Sequence, residues 1–153
     1  MLTPTKEDIM ETTATIHASN SNAQSAPLSK GRLWTARIMS GLPALFLLVD
    51  AVGKLVKPAP VVEGTLQLGY PESVILGLGI ILLACTVVYI MPRTAILGAI
   101  LLTGYLGGAV ATHVRVGSPL FSHILFPVYL GVLIWGGLYL RDERLRALFP
   151  LRR

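Results

Sequence analysis

Behind a polar lead of about thirty residues, four long apolar runs alternate with short polar breaks. The runs, at residues 34–56, 73–91, 94–114 and 119–140, are each close to the ~20 residues that cross the hydrocarbon of a bilayer. No water is present there to satisfy backbone groups, so such segments fold as helices. The breaks around Pro92 and Gly117 are very short, which forces consecutive helices to run antiparallel. The predicted fold is therefore all-α: a polytopic membrane protein built as an antiparallel four-helix transmembrane bundle. Its parts are a disordered polar N-terminal tail (1–30), the four-helix membrane domain (31–141) and a basic C-terminal tail (142–153).

The N-terminal stretch is rich in Ser, Thr, Asn, Gln and Ala and has no apolar segment able to pack. It lacks the apolar centre of a cleaved signal peptide, and Glu7, Asp8 and Glu11 argue against an organellar transit peptide. The longest break, KPAPVVEGTLQLGYPE, is more than a linker. Pro58, Pro60 and Pro71 oppose helix at either end, whereas VVEGTLQLG between them fits a short interfacial helix presenting Val61, Val62, Thr65 and Leu66 together. Pro43 and Pro127 fall inside spans, where each removes a helical donor, from Met39 and His123 respectively, and is expected to kink its helix.

Composition reinforces the membrane reading. The chain is 53% hydrophobic and 14% charged, with a mean hydropathy of +0.66; soluble chains carry about 25% charged residues. Of its 13 Lys and Arg, ten fall with the termini and the second loop, and only Lys54, Lys57 and Arg115 fall on the opposite side. The positive-inside rule then places both termini in the cytoplasm. The net charge of +5 does not indicate nucleic acid, because there is no basic stripe with interleaved aromatics. In the tail RDERLRALFPLRR, Leu145, Leu148 and Phe149 either rest on anionic headgroups or fray. Cys85 is the only cysteine, which excludes an internal disulfide and a dithiol cycle run by this chain alone.

Two charges interrupt the first apolar run. An ionised side chain at bilayer depth costs roughly 2.5–3.5 kcal/mol on insertion scales, yet Asp50 and Lys54 stand four residues apart on one helix face. They either pair locally or divide, Lys54 snorkelling outward and Asp50 seeking Arg115 or His113 across the bundle. The topology gathers Asp50, Lys54, Glu63, His113 and Arg115 at the extracytoplasmic end, making them the candidate polar pocket. His113 and Arg115 point in different directions if their helix persists. His123 opens the fourth span at the same depth, but two separated histidines form no recognisable metal site. In the third span Gly104, Gly108 and Thr112 form a small-residue face on which a neighbouring helix, of this chain or of a second copy, can approach closely. No catalytic motif appears, so no catalytic residue is assigned and the chain reads more as a non-enzyme on its own.

DAVGKLVKPAPVVEGTLQLGYP after the first half-helix, and ATHVRVGSP closing the third helix, resemble the DoxX-like family of small bacterial membrane proteins, over roughly residues 33–140. The resemblance implies a four-helix inner-membrane protein in an accessory role beside quinone-dependent electron transfer. Quinone is the one cofactor it suggests, and a membrane or peripheral oxidoreductase the partner, in addition to the lipid bilayer. By position, Asp50, Lys54, Glu63, Gly69, Tyr70, Pro71, Thr112, His113 and Arg115 match the recurring polar and turn positions; the long polar N-terminal tail departs from the compact family pattern. Two other readings stay open: a small-solute or proton-coupled carrier with Asp50 and His113 facing a half-channel, and a membrane anchor with no chemistry of its own.

Overall fold

The computed structural model describes residues 30–142, together with Lys6, Glu7, Met10, Glu11 and Thr15 before them and Leu145 and Arg146 after. Apart from these, the expected tails 1–30 and 142–153 lie outside the described residues, as do Leu148 and Phe149. The described residues form helices and no strand: α1 (Lys30–Val56), α2 (Ala59–Gln67), α3 (Ile75–Ile90), α4 (Ala95–Arg115) and α5 (Phe126–Arg141). A single 3-10 turn, Glu72–Val74, leads into α3, and a π turn, Leu120–Ile124, leads into α5. Among the described residues four segments are long and apolar enough to cross a membrane: Leu33–Val56, Glu72–Ile90, Ala95–Arg115 and Leu120–Arg141.

These four are packed as a ring. α1 lies against α3 and α5, α3 against α4, and α4 against α5, so α1 and α4 face each other across the middle. The helix α2 lies across one end, called here the loop end; the opposite end is the termini end. At the termini end the centre is filled. Tyr89, Ala95, Ala99, Leu102, Ile134 and Leu138 are all buried there or toward mid-span, and Leu145 folds back to join them. Outward-facing apolar residues such as Leu45, Val49, Ile80, Ile100 and Val132 are exposed, as lipid-facing positions would be.

In hydrocarbon, apolar burial between helices gains little, so association rests on close van der Waals packing at small residues. Gly98 on α4 sits directly against the backbone of Tyr89 on α3, and Gly137 on α5 sits 2.8 Å, measured from where a Cβ would stand, from the backbone nitrogen of Ser40 on α1. Gly79 on α3 holds the same relation to Lys54 on α1, at 2.8 Å from its Cβ. The glycines of the GxxxG face make no such approach among the described residues. A Cβ built on Gly104 or Gly108 meets nothing within 4 Å.

The short helix α2 begins and ends two residues earlier than VVEGTLQLG suggests, and Pro60, expected to oppose helix, sits in its first turn, where a missing N–H is no loss. Thr65 is buried, while Leu66 and Glu63 face outward. Both connections of α2 pass through left-handed backbone: Lys57 at φ 54° and Gly69 at φ 78°. α1 ends at Val56, Lys57 N–H still reaches the Gly53 carbonyl at 2.9 Å, and Pro58, which has no N–H to give, follows. Pro43 lies within α1 and is fully buried. The fourth span, Leu120–Arg141, is not one regular helix. The chain breaks at Leu125 between the π turn and α5, and Pro127 occupies the first turn of α5.

Candidate functional site

The loop end is hollow where the termini end is filled. A cavity of about 470 Å³ lies beneath α2, walled by α1, α2, α4 and the start of α5, with Leu78 contributed by α3. Most of its surface is apolar, from Phe46, Leu47, Leu106, Phe126, Pro127 and Leu130 among others. Phe46 and Phe126 meet edge to face, ring centroids 5.1 Å apart, the arrangement that aromatic quadrupoles favour. Gly104 and Gly108 also line the cavity although both are exposed. The cavity therefore runs out along a bare flank of α4. Gly104 is eleven residues before Arg115, about 16 Å at 1.5 Å per residue, roughly half the depth of a bilayer core.

Of the five residues of the candidate pocket, three line this cavity: Asp50, Lys54 and His113. Lys54 Nζ lies 2.5 Å from Asp50 Oδ1, so the pair is made within α1 rather than across the bundle. Lys54 is the more enclosed, its side chain 15% exposed against 34% for Asp50. The two charges cancel locally, so the cavity carries paired charge and no net charge from this source. His113 Nδ1 is 3.0 Å from Ser118 Oγ, and its ring centroid is 5.6 Å from that of His123. Glu63 and Arg115 are exposed and neither lines the cavity. No group of three or more His, Cys, Asp or Glu side chains able to hold a metal is present among the described residues.

Arg115 instead ties down the loop. Its Nη2 donates to the Leu68 carbonyl at 2.7 Å, and its guanidinium stands 5.8 Å from the centroid of the Tyr70 ring, within reach of a cation–π attraction. Glycine suits position 69: its φ is positive, and a Cβ there would stand 3.1 Å from Arg115 Nη2, which would have to shift by a few tenths of an ångström. A second tie runs through Tyr70 and Thr112, whose hydroxyls are 2.7 Å apart. Thr112 Oγ1 donates to the Gly108 carbonyl at 2.9 Å. A hydroxyl has one proton to give, so Tyr70 is the donor in the first bond. On the far side of α2, Lys57 and Glu72 form a looser pair at 3.7 Å.

Tyr105 is the cavity residue that spacing could have found and that charge-based reading passes over. It precedes Thr112 by seven residues, two helical turns, and so lies near the same face of α4. It lines the cavity, yet its hydroxyl makes no hydrogen bond among the described residues. Tyr70 was legible only as a turn position. Its bond to Thr112 spans 42 residues of chain, a separation no local pattern encodes.

Four apolar helices in an up-down ring, closed at one end and hollow at the other beneath a short crossing helix, define a membrane protein with a one-ended amphipathic site. The chain belongs to the DoxX-like family, whose sequence pattern matches residues 38–137, about two thirds of its length. No curated protein and no solved structure matches it.

Proposed function

We propose that this protein is a bacterial inner-membrane subunit that holds a neutral, lipid-soluble ligand of the quinone class in its loop-end cavity and serves a redox partner enzyme there. The observation that carries this reading is the cavity itself: apolar walls, a charged pair neutralised from within, and a bare flank of α4 at mid-span depth. An anionic ligand would bring a second negative charge beside Asp50 between apolar walls, whereas a neutral ring bearing carbonyl oxygens would not. Binding sites for such ligands are concave and mostly apolar, with a few polar groups to orient them.

The Lys/Arg bias supports an orientation with the loop end on the extracytoplasmic side and both termini in the cytoplasm. A thiol-reactive, membrane-impermeant reagent should then label Q67C, made in a C85S background, on intact spheroplasts. Protection until the membrane is broken would reverse the assignment.

The test of the ligand is extraction. Purified in mild detergent, the protein should release a quinone into organic solvent in near-stoichiometric amount and should bring an oxidoreductase with it. Recovery of neither would sink the proposal. A carrier would need a path through the termini end, which Tyr89, Leu102, Ile134 and Leu138 fill; solute flux into proteoliposomes, lost with Asp50→Asn, would favour that alternative.

A further inference from the structure

Apart from Tyr105, each of the cavity's hydroxyl, imidazole and charged side chains already holds at least one partner. Lys54 is bound to Asp50, Tyr70 to Thr112, Thr112 to the Gly108 carbonyl, and His113 to Ser118. Thr65 Oγ1 donates to the Val61 carbonyl at 2.7 Å. Tyr105 differs: its phenol lines the cavity without a hydrogen-bond partner among the described residues, and its oxygen is not among the polar atoms sealed into packing. An available donor set among hydrocarbon walls calls for a partner, because nothing in such surroundings substitutes for the missing bond. Its neighbours on α4 leave it room. Gly104 beside it and Gly108 one turn on present no side chain, and a Cβ at either would touch nothing within 4 Å.

We infer that Tyr105 is the residue that orients the cavity's ligand, its O–H donating to a carbonyl oxygen of a ring that lies against the glycine flank of α4. The inference rests on the reading of the cavity as a quinone-class site and adds which atom selects for the carbonyl. The committed groups then serve to shape and close the site, and the phenol distinguishes a quinone from a hydrocarbon of the same outline.

The experiment uses the full chain in lipid nanodiscs and two probes of nearly equal shape, 2-methyl-1,4-naphthoquinone and 2-methylnaphthalene. Wild-type protein should bind the quinone more tightly than the hydrocarbon. Tyr105→Phe, which keeps the ring and removes one oxygen, should weaken the quinone roughly three- to tenfold, the worth of one net hydrogen bond, and leave the hydrocarbon unchanged. The carbonyl stretching band of the bound quinone should lie at lower frequency in wild type than in Tyr105→Phe, a shift that a role in packing alone would not produce. Melting temperature measured alongside separates loss of the bond from loss of the fold. Unchanged quinone affinity in Tyr105→Phe, or equal weakening of both probes, would overturn the assignment while leaving the cavity reading in place. Failure of wild-type protein to bind the quinone would overturn both.

Discussion

Replacing Gly98 by Ala adds one methyl where α3 and α4 touch. That carbon would stand 2.7 Å from Tyr89 Cβ and closer still to the Tyr89 backbone. Non-bonded carbons rest at about 3.5–4.0 Å, so the two helices must part by roughly 1 Å at the crossing. The obstacle is main chain, which cannot rotate aside, and the cost belongs toward the upper end of the ~1–3 kcal/mol seen for overpacking. Ala gains about 1 kcal/mol over Gly in helix propensity, leaving a net loss of about 2 kcal/mol. On soluble-domain scaling this corresponds to a fall of roughly 5–10 °C in melting temperature. Tyr89 itself is buried, faces the Ile134 carbonyl at 3.4 Å and lies under Arg141, 5.4 Å from its ring centroid; moving it disturbs the filled end as a unit. The control is Gly107→Ala on the same helix, exposed and with nothing within 4 Å of an added Cβ, where propensity acts alone and stability should hold or rise. Thermal unfolding of both variants in one detergent decides the matter. If Gly98→Ala melts at or above the wild-type temperature, Gly98 is not the contact that sets the α3–α4 distance.

Gly69→Ala combines a positive φ with a close approach to Arg115 Nη2, and left-handed backbone alone costs a residue with a side chain about 1–2 kcal/mol; amide hydrogen exchange in α2 should quicken while α3 and α5 stay protected, and uniform exchange would show that the Arg115 tie does not hold α2. Asp50→Asn leaves Lys54 without its counter-charge in a largely apolar cavity and should lower stability, whereas Asp50→Asn with Lys54→Met removes the charge altogether and should recover most of the loss. A double variant as unstable as the single one would mean that the pair bonds to more of the bundle than α1.

Much of the frame is legible because a bilayer imposes length. The four spans fall within a residue or two of the apolar runs, and α2 lies between Pro58 and Pro71, in the stretch their missing N–H groups set apart from the spans. What spacing within one helix cannot supply is the identity of the surface opposite. Gly104 and Gly108 carry the GxxxG signature, yet the close approaches are made by Gly79, Gly98 and Gly137, whose need for a missing Cβ arises from Lys54, Tyr89 and Ser40 on other helices. Pro127 signals an irregularity in the fourth span, but not that the regular helix is interrupted at Leu125, two residues before it, after a π turn.

The same blindness hid the site's division of labour. Charge draws attention to Asp50, Lys54, Glu63, His113 and Arg115, and charge in a membrane is costly enough to seem decisive. In the folded chain the charges are mostly satisfied by each other or by backbone: Asp50 by Lys54, Arg115 by the Leu68 carbonyl. Each of these charges already holds one partner, whereas the neutral phenol of Tyr105 holds none among the described residues, beside two glycines that keep its flank clear. In a site of this kind, recognition falls to the polar atom the fold leaves unpaired, and the ionic residues set the walls within which that atom works.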